Sequence, residues 1–135
     1  MLSWTAVLVG GAVGSGLRYA MALALPAQGA AGFPVGTLTV NLLGCLLIGV
    51  GAALLGPSSA IAPHLRLGVM VGLLGGFTTF SSFGLETLRM VQSGHFGAAA
   101  LYVGLSNVAG IAAVWLGAKA CGGFEVSPQQ GPELL

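Results

Sequence analysis

Nine residues inside a long apolar run, GGFTTFSSF from Gly75 to Phe83, combine paired glycines, four hydroxyls and three phenyl rings. Thr78, Thr79, Ser81 and Ser82 can bond backbone groups locally and compete with a helical ladder, and the Gly75–Gly76 pair lowers the cost of leaving it. In hydrocarbon a broken helix persists only where protein or a water-filled cavity satisfies the freed backbone. A break at that depth predicts a place where an ion or substrate is held. The other polar groups within apolar stretches are Arg18, Asn41, Glu86, Ser106 and Asn107, and such groups are functional candidates by default. Thr37, Asn41 and Cys45 share one helical face at i, i+4 spacing, Phe80 and Phe83 nearly stack at i, i+3, and Tyr102, Ser106 and Gly110 form a stripe. Together these faces make a narrow track offering an Asn41 amide donor, hydroxyl protons from Tyr102 and Ser106, and the edges of Phe80 and Phe83. Phenyl edges carry the positive end of the ring quadrupole. Donors of this kind can replace the water shell of a small anion, as carbonyls do for potassium. Glu86 lies within i, i+3 reach of Arg89 and reads as an interfacial pair.

The elements that must position these groups follow from composition. Only 5% of the 135 residues are charged and 56% are hydrophobic, and the mean hydropathy is +0.97. A soluble domain carries roughly 25% charged residues, so the chain reads as an all-α membrane protein. Crossing the hydrocarbon takes about 20 apolar residues, and four such spans are predicted at about Ser3–Leu25, Val35–Leu55, Leu65–Met90 and Phe96–Lys119, with the third broken near its middle. The connectors PAQGAAGFP, GPSSAIAPH and VQSGH read as turns. One transmembrane domain thus fills residues 1–120, and the polar segment 121–135 is expected to be disordered. No Lys or Arg precedes Trp4 and no polar cleavage region follows, so the first apolar run reads as a helix rather than a signal peptide. Cys45 and Cys121 make no disulfide framework or metal-ligand spacing, and His64 and His95 fall in connectors and receive no role. A net charge of +1 without a basic cluster excludes nucleic acid as a partner. The only acids are Glu86, Glu125 and Glu133, and no catalytic constellation is present, so the chain is not read as an enzyme.

Basic residues near span ends set orientation, and here they divide evenly: Arg66 and Lys119 fall on one side, Arg18 and Arg89 nearer the other. Insertion both ways, and with it an antiparallel homodimer, stays open beside a single orientation. Four short spans hardly enclose a pathway, and 24 glycines offer surfaces for close helix approach. Gly10 with Gly14, Gly68 with Gly72 and Gly76, and Ser106 with Gly110 form small-residue faces, suited to packing within or between subunits.

Three segments taken in order, GGAVGSGLRY at Gly10–Tyr19, GTLTVNLLGCLLIG at Gly36–Gly49 and GGFTTFSSF, resemble the Fluc (CrcB) fluoride channels. The likeness runs from Met1 to about Lys119. It implies a dual-topology antiparallel homodimer in a prokaryotic inner membrane, with two pores that passively export fluoride and lower its toxicity. On matching positions it implies that Phe80 and Phe83 line the pore, that Asn41 donates beside them, and that Tyr102 and Ser106 extend the track. It further implies that Arg18 lends positive potential to an aqueous vestibule, and that backbone carbonyls of Gly75 and Thr78 from both subunits hold a sodium ion at the interface. The chain departs from the family pattern at Gly110, where a further hydroxyl is common.

Two readings from other classes stand beside this one. A proton-coupled small multidrug exporter is also a four-helix protein of dual topology, yet it needs a membrane carboxylate in its first span, where this chain has Arg18. A non-transporting membrane assembly subunit would show no ion flux and would co-purify with a partner.

Overall fold

The computed structural model of the chain describes residues 1–56 and 59–123. Four helical spans, Leu2–Ala24, Val35–Leu54, Pro63–Gln92 and Phe96–Ala120, are long and apolar enough to cross a membrane, and their ends agree with the sequence reading to within two residues. Among the described residues the only β feature is an isolated bridge between Gln28 and Phe33 in the first connector. Gly29 and Gly32 turn that connector with φ of 70° and 60°, a region glycine enters without strain. The expected disorder at 121–135 falls on 124–135, outside the described residues; Cys121 to Gly123 still close the last helix, with Gly123 N–H donating to Ala118 O at 2.8 Å.

Packing follows the small residues. The first span lies along the third and the second along the fourth, with lighter contact between the two pairs. A Cβ built on Gly10 would run into Gly68 O, and one on Gly14 into Leu73 O; in the second pair, Gly49 faces Val114 O and Gly117 faces Leu46 O in the same way. Both seams lie within the chain, which decides the choice left open by the sequence for Gly10, Gly14, Gly68 and Gly72. With no bulky side chain between them, the backbones approach closely, as membrane helices must when no hydrophobic force joins them. Most large apolar side chains face outward and only a short list is buried, Val40, Leu74, Met90 and Tyr102 among them. That inside-out distribution suits lipid.

The third span is broken, but not at its glycines. Gly75 keeps helical geometry (φ −65°, ψ −35°), and the chain becomes extended at Thr78 (φ −77°, ψ 156°) and Thr79 (φ −150°, ψ 111°). The cause is side-chain substitution for the ladder rather than backbone freedom. Thr78 N–H and its Oγ1 both bond Leu74 O at 3.1 Å, while Thr79 Oγ1 accepts from Ser82 N–H at 3.2 Å and so caps the helix Phe80–Gln92. Gly76 serves closeness instead, since a Cβ there would stand 2.8 Å from Gly11 O. Two stretches wind as π-helix, Gly68–Leu74 before the break and Leu105–Ala109 beside it in the fourth span; such stretches gather at functional sites.

Replacing Gly14 by Ala is expected to lower the denaturation midpoint of the detergent-solubilised protein by the equivalent of about 1–3 kcal/mol, the usual cost of forcing volume into a packed contact. Gly97→Ala, whose Cβ meets nothing within 4 Å, should leave the midpoint unchanged.

Candidate functional site

Asn41 occupies the centre of the site. Its Oδ1 accepts from Thr79 N–H at 2.8 Å, and its Nδ2 donates to Thr79 O at 3.1 Å. The backbone donor fixes which amide atom is oxygen, because only an acceptor can face an N–H. The side chain expected to donate to an ion is therefore first a clamp on the break. One of its two Nδ2 protons goes to Thr79, and one remains.

The broken ladder releases specific carbonyls. In a continuous helix Gly75 O would accept from Thr79 N–H and Thr78 O from Ser82 N–H. Here the first donor goes to Asn41 and the second to Thr79 Oγ1. Gly75 and Thr78, the residues assigned above to a cation, thus carry oxygens without helical partners, and hard cations favour such oxygens.

A groove of about 590 Å³ opens along the second, third and fourth spans, and Asn41, Cys45, Thr79, Phe80, Phe83 and Ser106 all line it. The Phe80 and Phe83 rings lie 5.4 Å apart with a 41° tilt, close enough for both edges to serve one passage. Ser106 Oγ is buried and has no hydrogen-bond partner, a costly state unless something else supplies one. Phe80 is 82% exposed in the single chain, so the groove lacks a wall on that side. Gly110 is buried, and a Cβ there would lie 3.4 Å from Cys45 Sγ. The thiol occupies the room beside the position where the stripe Tyr102–Ser106 runs out of hydroxyls.

Tyr102 departs from its expected place in the groove. It is fully buried and donates its O–H to Glu86 Oε2 at 2.8 Å, while Thr37 donates to Glu86 Oε1 at 2.7 Å. The expected Glu86–Arg89 pair gives way to this relay because two hydroxyls from other spans reach the carboxylate, one on each oxygen. Tyr102 still joins the aromatic row: its ring lies 5.1 Å from Phe83 and 5.6 Å from Phe33. The periodic face Thr37–Asn41–Cys45 is the one sequence signal for Thr37; its pairing with Glu86, 49 residues away, has none.

Glu86, Thr37, Ser82, Thr79 and Arg18 line a second cavity of about 340 Å³. Thr79 is common to both hollows, so the break separates a chamber with charged walls from a groove with aromatic ones. Arg18 lines this chamber, and its Nε donates to Gly76 O at 3.1 Å.

The sequence matches the family described as CrcB-like protein, Camphor Resistance (CrcB), over residues 5–118. It is 46% identical over 112 residues to the fluoride-specific ion channel FluC of Methylobacillus flagellatus, covering 82% of this chain and 88% of that one. It is 47% identical over 118 residues to the protein of the same name from a Ruegeria species, covering 87% and 92%. The FluC of Acidobacterium capsulatum is 42% identical over 111 residues. Matched through all four membrane spans and across both hollows that meet at Thr79, the chain belongs to the CrcB family of multi-pass membrane proteins.

Proposed function

We propose that the chain forms a passive, fluoride-selective channel through which cells lose fluoride down its gradient. The observation that carries this reading is the convergence of Asn41, Phe80, Phe83 and Ser106 on one groove in a chain closely similar to fluoride-specific channels. Each of these residues offers positive charge density without a full positive charge: an amide N–H, a hydroxyl proton, or ring edges. Fluoride is small and strongly hydrated, and it needs donors at short range to leave water. A full cation there would hold it too tightly to conduct, since a conducting site must release what it binds.

Antiparallel pairing of two copies completes the pathway. The exposed Phe80 and the unwalled groove call for a second surface, and another copy inverted across the membrane plane supplies a matching groove and the same rings. Nearly balanced basic residues at the two ends allow such dual insertion. At the axis of that pair, the released Gly75 and Thr78 carbonyls would hold a structural sodium ion; its charge would fix two unwound segments that otherwise face each other with oxygens alone. Lipid surrounds the rest.

Glu86 is the one acid within the spans, and both of its oxygens accept hydroxyl protons. In this reading it holds Thr37 and Tyr102 in place at the chamber end of the route, and no proton exchange with a cationic drug is needed.

Purified protein in liposomes is expected to release trapped fluoride much faster than empty vesicles do while retaining chloride, as followed with ion-selective electrodes; fluoride release no faster than from empty vesicles, by folded dimeric protein, would refute the channel. Phe80→Ile should slow release about tenfold or more, the equivalent of about 1.4 kcal/mol in the barrier, with the dimer intact by size-exclusion chromatography. Tyr102→Phe removes a hydrogen bond to a charged group worth about 1.5–3 kcal/mol and turns Glu86 Oε2 loose beside the anion route. Release should fall by about tenfold or more, and unchanged rates would remove the relay from the mechanism.

A further inference from the structure

The break releases a third carbonyl, Gly76 O, whose helical donor would be Phe80 N–H. The extended pair Thr78–Thr79 carries that donor away. Gly76 O faces the first span, where Arg18 Nε stands at 3.1 Å and Ser15 Oγ at a marginal 3.5 Å. The same stretch of backbone touches the first span again, since a Cβ on Gly76 would lie 2.8 Å from Gly11 O. An arginine inside a span is costly and its partner is informative. Supplying positive potential alone would need a charge in the chamber and no fixed bond to a peptide oxygen.

We propose that Arg18 is a positioning residue: its Nε–H holds Gly76 O, and thereby sets where the neighbouring Gly75 and Thr78 carbonyls point, while its other guanidinium donors remain in the chamber that Glu86 and Thr37 line. The break is then gripped from two sides. Asn41 holds Thr79 on the downstream side and Arg18 holds Gly76 on the upstream side. A lysine cannot replace it, because an ammonium is a point charge at the end of a flexible stem and has no Nε–H set back along a rigid plane. The inference rests on the channel reading for its flux assay, and its second measurement does not need flux.

The experiment compares wild-type protein with Arg18→Lys and Arg18→Gln in liposomes, measuring fluoride release with either sodium or N-methyl-D-glucamine as the cation. Arg18→Lys, which keeps the charge, is expected to lose about tenfold in release, the equivalent of one charge-assisted hydrogen bond. Its residual release should gain from sodium by a larger factor than the wild type's does, because the carbonyls that would hold the ion are no longer set. Wild-type release by Arg18→Lys with only Arg18→Gln impaired would make the residue a vestibule charge and overturn the proposal, as would slowed release with a wild-type sodium response. Amide hydrogen exchange across Phe77–Phe80 reads the grip directly; it should quicken in both variants, and unchanged exchange overturns the proposal even if wild-type protein proves not to conduct fluoride, an outcome that by itself sinks only the channel reading. Should neither variant fold, replacing the Gly76–Phe77 amide by an ester weakens Gly76 O as an acceptor and leaves every side chain in place; quicker exchange at Thr78–Phe80 supports the grip and wild-type exchange overturns it.

Discussion

Two hydrogen bonds between the Asn41 carboxamide and the Thr79 peptide govern the centre of this protein. A carboxamide carries the same acceptor and donor as a peptide unit, so it can stand in for the missing turn of helix. Without it, the Thr79 N–H would be left without a partner inside the bundle, at a cost of about 1–3 kcal/mol. With it, the third span can stop at Phe77 and restart at Phe80, and everything at the site follows from the gap. Carbonyls of Gly75, Gly76 and Thr78 lose their helical donors, a new helix start capped by Thr79 appears at mid-depth, and Phe80 and Phe83 emerge on the groove.

Charge is handled with equal economy. Arg18 and Glu86 line one chamber, yet each is anchored by neutral groups: a peptide oxygen for the guanidinium, two hydroxyls for the carboxylate. An ion pair closed on itself would leave nothing for a passing ion. Charges tethered to neutral partners stay available in the chamber, while no charged side chain lines the groove beyond Thr79. The order suits an anion that must first be attracted, then stripped of water.

Much of this was readable in the chain, and the failures share a cause. The four spans, the existence of the break, and the small-residue faces at Gly10, Gly14 and Gly72 all express local rules of length, composition and i, i+4 spacing. The hydroxyls of Thr78 and Thr79 marked where the ladder could fail, but the partner that holds the break, Asn41, lies 38 residues away. Glu86 was matched to Arg89 by the same local habit, although its partners sit on the second and fourth spans. Arg18 was read by its charge, and its bond to Gly76 O spans 58 residues. The two π-helical stretches left no pattern that periodicity could register. Hydrogen bonds between spans depend on which faces meet, and the sequence states that only indirectly.

The glycine seams carry a mechanical corollary. Where Gly10, Gly14, Gly49 and Gly117 meet carbonyl oxygens of the facing helix, the hydrogen in place of each missing Cβ points at an oxygen, a Cα–H···O contact worth about 0.5–1 kcal/mol. Such a joint has no cushion of methyl groups to deform, so sliding one backbone along the other meets repulsion at once. A scaffold bolted in this manner has little capacity for the rocking by which transporters alternate their openings. What can still move are phenyl rings and hydroxyl rotors, whose excursions take picoseconds to nanoseconds where they are exposed, so freedom at the site belongs to side chains within a stiff frame.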